Sequence, residues 1–312
     1  MTSSIAPLLS SRAQGLFLGL ASGNALGLPW ENTWPKQEIA KLSGGTIREI
    51  AATERDLPWD DDLAQAVILS QALLEKGELE LEDLGQRFLA WMKENGRGIG
   101  NLTQRVLEDI AQGTPVAEAS AYAQESLGRN WSAGNGAVMR CAPLAIALWN
   151  NREELVKQTV LSAQVTHWNP LCVWSAVAFN LALAGVFAGK PLDCIALADE
   201  LQALGAPSAV SDAINGAKAP LERFQLDGKN KGFTLKAMQV GLWALRVHGT
   251  PEDILEALIL EGGDTDTNAA IAGAALGARF GLESLPERWI ATLARPDEIR
   301  SLADALLARA KA

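Results

Sequence analysis

The chain has 312 residues, of which 48% are hydrophobic and 21% charged, and its formal net charge is -10. This composition is typical of a globular protein with a substantial core, and no apolar run in the sequence approaches the length expected of a membrane span. The negative charge, with no basic stripe to oppose it, disfavours broad binding to nucleic acid phosphates. We therefore expect neither a nucleic acid nor a membrane as a partner.

The N-terminal segment and the cysteines indicate a cytoplasmic protein. Residues 1–15 lack the basic region and the long apolar core of a secretory signal. The cysteines Cys141, Cys172 and Cys194 are widely separated in apolar helical patterns. This arrangement favours reduced core thiols over a disulfide framework, and no pair has the spacing of zinc ligands.

A row of glycines marks the first predicted helix, over residues 13–27. Gly15, Gly19, Gly23 and Gly27 recur every four residues and therefore share one helix face. Because each glycine costs a helix about 1 kcal/mol relative to alanine, the row predicts close packing against a second helix. The loop that follows contains Glu31. By its pattern alone, this residue is an exposed acid.

Three consecutive acids, Asp60, Asp61 and Asp62, stand at the start of the next apolar helical pattern. Acids at a helix start are ordinary caps, because they satisfy free amides and interact favourably with the helix dipole. They are also oxygen ligands of the kind that Mg²⁺ and Mn²⁺ prefer, and the pattern alone leaves both roles open. Predicted helices in this half of the chain span residues 62–76, 81–95, 102–112 and 116–124.

A glycine-rich loop precedes another predicted core helix. Small residues at Gly134, Asn135 and Gly136 would let backbone amides and the Ser132 hydroxyl approach a phosphate, with a helix N-terminus behind them. An ordinary glycine loop is the alternative. His167 lies beyond a helix that begins near residue 153, where a lone histidine is more often a core residue. Further helices are predicted over residues 171–188, 192–204, 235–247 and 251–260.

The sequence GGDTDT contains the second acidic cluster. Gly262 and Gly263 accept backbone angles closed to other residues, so that the acids after them can turn inward. Asp264, Asp266 and Thr267 then offer hard oxygen ligands, although a helix cap is again the alternative. Because the two acidic helix starts lie about two hundred positions apart, a metal site that uses both requires one compact body. With no convincing strand pattern and no linker, we predict a single all-α domain over residues 1–312.

These motifs resemble those of the ADP-ribosylglycohydrolase family. The family carries a Gly-Gly-Asp-Thr-Asp-Thr segment near its end, which is present intact as Gly262–Thr267. Near its start the family has a Thr-Asp-Asp-Thr segment, of which the two central acids match, whereas Asp60 and Leu63 replace the two threonines. A third departure is Asn24, which stands where a GDALG-type segment has aspartate.

The resemblance implies a compact orthogonal multi-helix fold and a hydrolase that cleaves the glycosidic bond between ADP-ribose and a modified protein side chain or a small acceptor. It also implies two divalent cations, Mg²⁺ or Mn²⁺. Proton transfer would fall to Glu31 and Asp61. The implied metal ligands are Asp60, Asp61, Asp62, Asp264, Asp266 and Thr267, and the implied substrate contacts are Ser132, Gly134, Asn135, Gly136, Met139 and His167.

The departures from the family motifs leave two alternatives. One is a non-catalytic relative that binds ADP-ribose or serves structurally, and the other is a hydrolase of a different N-glycoside. Four matching acids remain, and burying them as anions without cations would be severely destabilising. We therefore expect the metal-dependent hydrolase.

Overall fold

The fold is built from helices that bring both acidic helix starts to one place. The computed structural model describes residues 5–31, 33, 35–127, 133–228 and 230–310, and within them it contains sixteen α-helices and no strand. The helices are α1 (Ile5–Gly27), α2 (Lys36–Ser43), α3 (Asp61–Lys76), α4 (Leu81–Glu94), α5 (Asn101–Ala111), α6 (Val116–Leu127), α7 (Gly136–Leu148), α8 (Arg152–Gln164), α9 (Pro170–Phe187), α10 (Cys194–Ala203), α11 (Ser208–Gly216), α12 (Thr234–Ala244), α13 (Pro251–Leu260), α14 (Thr265–Phe280), α15 (Glu287–Thr292) and α16 (Pro296–Arg309).

The predicted all-α fold is confirmed. The predicted helices are present, mostly with ends within one to three residues of the predicted ones, although α1 begins well before residue 13. The helices α2, α11, α15 and α16 were not predicted. Two of them, α2 with 8 residues and α15 with 6, are too short to show a clear helical period. The domain boundaries, residues 1–312, stay a prediction.

The glycine row of α1 packs against α14, as its spacing predicts. The two helices run antiparallel with their backbones in contact. A methyl group added at Gly19 would lie 2.9 Å from the carbonyl carbon of Gly273, and one at Gly23 would lie 2.5 Å from that of Ala269. Since a real Cβ atom does not approach backbone so closely, only glycine permits this separation along the interface.

The core around this pair contains α7 and α9. Every residue of α7 is buried, and α7 packs against α3, α8 and α9. By length and composition alone, the 18-residue helix α9 could cross a membrane. The expectation that no apolar run is long enough to do so is therefore wrong for this helix. Because 78% of α9 is buried inside the fold, it has the character of a core helix. The three cysteines are free and buried, as expected.

Candidate active site

Three helix ends meet at the acidic clusters: the C-terminus of α1 and the N-termini of α3 and α14. The Thr265 hydroxyl donates a 2.9 Å hydrogen bond to the carbonyl oxygen of Gly27 and so ties α14 to α1. The Thr267 hydroxyl donates to Asp62 Oδ2 at 3.4 Å and links α14 to α3. The close α1–α14 packing therefore determines where the second acidic cluster lies relative to the first.

The carboxylates of Asp60, Asp61 and Asp62 form the first cluster. All three residues are buried, and each offers one oxygen within 4.8 Å of the others. Asp60 occupies the N-cap position of α3, yet its side chain accepts no hydrogen bond from the first turn of the helix. The capping interpretation is therefore not supported at this position, and the carboxylate is free to turn toward the cluster.

Glu31, Asp264 and Asp266 form the second cluster, again with one oxygen each within 4.8 Å of the others. Gly262 and Gly263 have φ angles of 72° and 85°, so the glycine turn before the acids is confirmed. Asp264 is the N-cap residue of α14 but makes no side-chain cap hydrogen bond. Instead, its Oδ2 accepts a 2.7 Å hydrogen bond from the amide of Asn135.

Glu31 is tied to a distant part of the chain at the edge of the second cluster. Lys231 Nζ donates to the backbone oxygen of Glu31 at 3.1 Å. Burial and the nearby Asp264 raise the pKa of the half-buried Glu31, while Lys231 acts in the opposite direction. Glu31 is therefore a basic carboxylate next to the cluster, as a proton acceptor requires.

The clustered acids carry a charge that the described protein atoms do not balance. Burial raises the pKa of Asp61, Asp62 and Asp266 well above its ordinary range, and neighbouring carboxylates raise it further. Asp62 Oδ1 and Asp266 Oδ1 are buried and have no hydrogen-bond partner among the described residues. Two orphaned carboxylate oxygens in a pocket of oxygen donors fit hard divalent cations, which would supply the missing charge.

Two departures from the family motifs lie in contact with each other. The buried amide of Asn24 donates to Asp60 Oδ2 at 3.2 Å and to Asp62 Oδ2 at 3.1 Å. The motif has a carboxylate where this chain has Asn24 and a neutral hydroxyl where it has Asp60. The carboxylate and the neutral group have thus exchanged places, and the number of charges is unchanged. Leu63, the third departure, is buried beside them at 4% exposure.

The glycine loop borders the second cluster. Gly134 pairs with Phe233 in an isolated bridge, and Asn135 occupies the N-cap position of α7, where its side-chain amide donates to Asp264 and makes no cap hydrogen bond. The imidazole of His167 lies against this loop, because a methyl group at Gly136 would be 2.6 Å from its Cε1. Ser132 lies outside the described residues. Met139 is one turn further along α7 and is buried in the core at 3% exposure, so its role as a substrate contact stays a prediction.

A buried hydrogen-bond network holds His167. Arg140 Nη2 donates to Thr166 Oγ1 at 2.8 Å, and Thr166 Oγ1 shares a hydrogen bond of 2.8 Å with His167 Nδ1. When the hydroxyl donates this bond, Nε2 carries the ring hydrogen. Burial lowers the pKa of His167 to about 3, which keeps the ring neutral. Arg140 also donates to the side-chain oxygen of Gln65 and the carbonyl oxygen of Ser162, so its buried guanidinium is held within the core.

A protein-family model described as ADP-ribosylglycohydrolase matches residues 6–312. The chain belongs to the ADP-ribosylglycohydrolase family. It is 28% identical over 317 residues to the ADP-ribosyl-[dinitrogen reductase] glycohydrolase of Rhodospirillum rubrum, with 97% of this chain and 98% of that one covered. It is 26% identical to the ADP-ribosylhydrolase ARH3 of Danio rerio, with 96% and 91% covered.

A solved structure described as an ADP-ribosylglycohydrolase-related protein complex matches with a TM-score of 0.73 at 29% identity, and the match covers 97% of this chain and 99% of that chain. The family and these relatives indicate an ADP-ribosyl hydrolase activity.

The sequence analysis missed two positively charged side chains near the acidic clusters. Lys231 lies in a loop without a helical period, and Arg97 stands between two glycines in an interruption of the helical pattern. The flanking glycines were the available signal.

Proposed function

We propose that this ADP-ribosylglycohydrolase is a divalent-metal-dependent enzyme that hydrolyses the glycosidic bond joining ADP-ribose to a protein side chain or a small acceptor. The observation that carries the proposal is the pair of buried, unpartnered oxygens on Asp62 and Asp266, which lie in acidic clusters from opposite ends of the chain. Such oxygens are costly in a folded protein unless a cation or a proton satisfies them.

The residues that would hold two cations, Mg²⁺ or Mn²⁺, are Asp61, Asp62, Asp264, Asp266 and Thr267, with Asp60 as a further predicted ligand. When bound, the cations would orient the ribose hydroxyls and a water molecule and would offset negative charge at the reacting centre. Their number and identity, and the assignment of each ligand, belong to the proposal. The support is the hard oxygen chemistry of the donors and their burial.

The chain's own residues would carry the proton transfers and position the substrate. Glu31 would accept a proton from the attacking water, because its half-buried carboxylate lies within 4.8 Å of those of Asp264 and Asp266. Asp61 is the second candidate, and one acid must assist departure of the acceptor group. The loop at Gly134 and Gly136 would receive the diphosphate at the N-terminus of α7. Neutral His167 would donate its Nε2 hydrogen toward a ligand oxygen beside that loop.

The substitution Asp266→Asn tests the proposal. It removes a carboxylate with an orphaned oxygen, so turnover on ADP-ribosyl-arginine, ADP-ribosyl-serine and O-acetyl-ADP-ribose should be lost. ADP-ribose itself should still bind through the loop and His167, though less tightly. The matched control is Asp212→Asn, which changes an exposed acid on α11 and should leave both turnover and binding unchanged.

The wild-type protein decides between the proposal and its alternatives. With Mg²⁺ or Mn²⁺ at a hundred times the dissociation constant, mass action should add about 2.7 kcal/mol to the free energy of unfolding for each cation bound. An unchanged midpoint together with no metal by elemental analysis would refute metal dependence. Binding of ADP-ribose without cleavage of any panel substrate would favour the non-catalytic relative, and neither binding nor cleavage would favour another N-glycoside. A cytoplasmic location and the absence of nucleic acid and membrane partners stay predictions.

A further inference from the structure

An arginine that the proposed reaction does not use lies beside the first acidic cluster. Arg97 Nη2 donates to both carboxylate oxygens of Glu54 at 3.0 Å, and its Nη1 donates to the Pro58 carbonyl at 2.7 Å. These bonds hold the guanidinium so that its Nε faces Asp60 Oδ1 at 3.9 Å. The Arg97 side chain is 26% exposed, so its charge is partly desolvated and weakly screened.

The backbone of the loop that carries Arg97 lies close to the acidic side chains and brings the guanidinium near them. Gly98, with a φ of 78°, lies directly on the carboxylates, and a methyl group there would be 2.8 Å from Asp60 Cγ and 2.9 Å from Asp61 Oδ1. Behind the contact is a cavity of about 20 Å³ lined by Asn24, Asp60 and Arg97 among others. A cavity of that size has room for about one water molecule, and its lining is mostly apolar.

Asp60 therefore differs from the other acids of the centre. Its Oδ2 accepts from the Asn24 amide and its Oδ1 faces Arg97. By contrast, Asp62 and Asp266 each keep one buried oxygen without a partner. The protein supplies a positive charge at Asp60 and leaves the charge at Asp62 and Asp266 to be supplied from elsewhere.

We infer that Arg97 is a built-in cation of this centre, which offsets part of the charge of Asp60 and weakens the binding of divalent cations to the neighbouring acids. Asp60, predicted above as a further metal ligand, then acts instead as a positioning residue that anchors the Arg97 loop and shares the Asn24 amide with Asp62. The inference rests on the proposed metal dependence. The charge of Arg97 determines how strongly the centre binds divalent cations. Glu54 reduces this effect because its carboxylate also pairs with the Arg97 guanidinium.

Titration calorimetry with Mn²⁺ on the metal-free protein tests this inference through substitutions of opposite sign. Arg97→Gln removes the repelling charge and should tighten Mn²⁺ binding about a hundredfold, the order expected for a unit charge about 10 Å from a divalent ion at an effective dielectric constant of about 20. Glu54→Gln leaves the Arg97 charge directed at Asp60 alone and should weaken binding. Arg97→Lys keeps the charge and should bind Mn²⁺ as the wild type does.

A role of Arg97 in holding the loop alone predicts a different result, because both Arg97 variants would then lower Mn²⁺ affinity or leave it unchanged. Either outcome overturns the inference. Thermal unfolding gives a second readout: without metal Arg97→Gln should unfold at a lower temperature than the wild type, and its gain on adding Mn²⁺ should be larger. An equal or smaller gain also overturns the inference. If the wild type itself binds no divalent cation, the proposed metal dependence fails first and the role of Arg97 fails with it.

Discussion

Replacing single glycines on α1 separates the two consequences of its close packing against α14. In Gly27→Ala the new methyl group would lie 2.5 Å from Cα and 2.6 Å from the backbone nitrogen of Asp266, next to the second acidic cluster. In Gly15→Ala it would lie 2.5 Å from the carbonyl oxygen of Gly277, at the far end of the same interface. Both changes must push the helices apart, but only the first must move a site residue.

The magnitude follows from these distances. Ordinary contact begins at 3.4 Å, so a methyl group at 2.5 Å requires a local shift of about 0.9 Å against backbone atoms, which cannot rotate away. Overpacking of this kind costs about 1–3 kcal/mol, and the better helix propensity of alanine returns at most about 1 kcal/mol. For 312 residues, a net loss of about 1–2 kcal/mol should lower the unfolding midpoint by about 1.5–3 °C.

The assay combines thermal unfolding with Mn²⁺ titration. Gly27→Ala should lose both stability and metal affinity, whereas Gly15→Ala should lose stability and keep its affinity. The matched control is Gly185→Ala in α9, where a methyl group meets nothing within 4 Å and should raise stability by up to about 1 kcal/mol. If Gly15→Ala and Gly27→Ala unfold at the same temperature as Gly185→Ala, the two backbones do not meet as closely as we describe.

Three further predictions concern charges and a hydrogen bond in the site. In EDTA the unfolding midpoint should fall as pH rises from about 4 to about 7. The reason is that native Asp60, whose pKa is raised from 3.8 to about 6, keeps a proton that the unfolded chain has lost. Addition of Mn²⁺ should remove this pH dependence of the midpoint. Asp62→Asn should raise the midpoint in EDTA, since it removes a buried uncompensated charge, yet should shrink the gain on adding Mn²⁺. Thr166→Val removes the hydroxyl that orients His167 and should weaken ADP-ribose binding about tenfold by calorimetry, without changing Mn²⁺ affinity.

Features encoded by local spacing could be predicted from the sequence. The four-residue glycine period of α1 is a geometric property of a helix, so its close packing follows without knowledge of the partner. The same holds for Gly262 and Gly263, whose positive φ angles place the acids after them. The all-α fold could also be predicted, because the sequences of most helices show apolar residues at helical spacing.

Features decided by long-range contacts could not be predicted. A capping acid and a site acid look alike in sequence, and only the side-chain directions of Asp60 and Asp264 show that neither caps its helix. Similarly, nothing near Arg97 indicates that its guanidinium faces an acid 37 positions earlier. The hydroxyl that orients His167 is its sequence neighbour, but the guanidinium behind that hydroxyl comes from another helix.

The exchange between Asn24 and Asp60 bears on whether the centre has lost its function. Taken one at a time, a missing carboxylate and a missing hydroxyl suggest decay of a metal site. In the fold the two side chains are hydrogen-bonded, so the carboxylate at Asp60 lies one contact away from the position that carries it in the motif, and the number of charges is the same. A protein that no longer bound cations would gain stability by discarding buried acids that repel one another. This chain retains them and places Arg97 where it offsets part of their charge, an arrangement that favours an adjusted metal centre over a vestigial one.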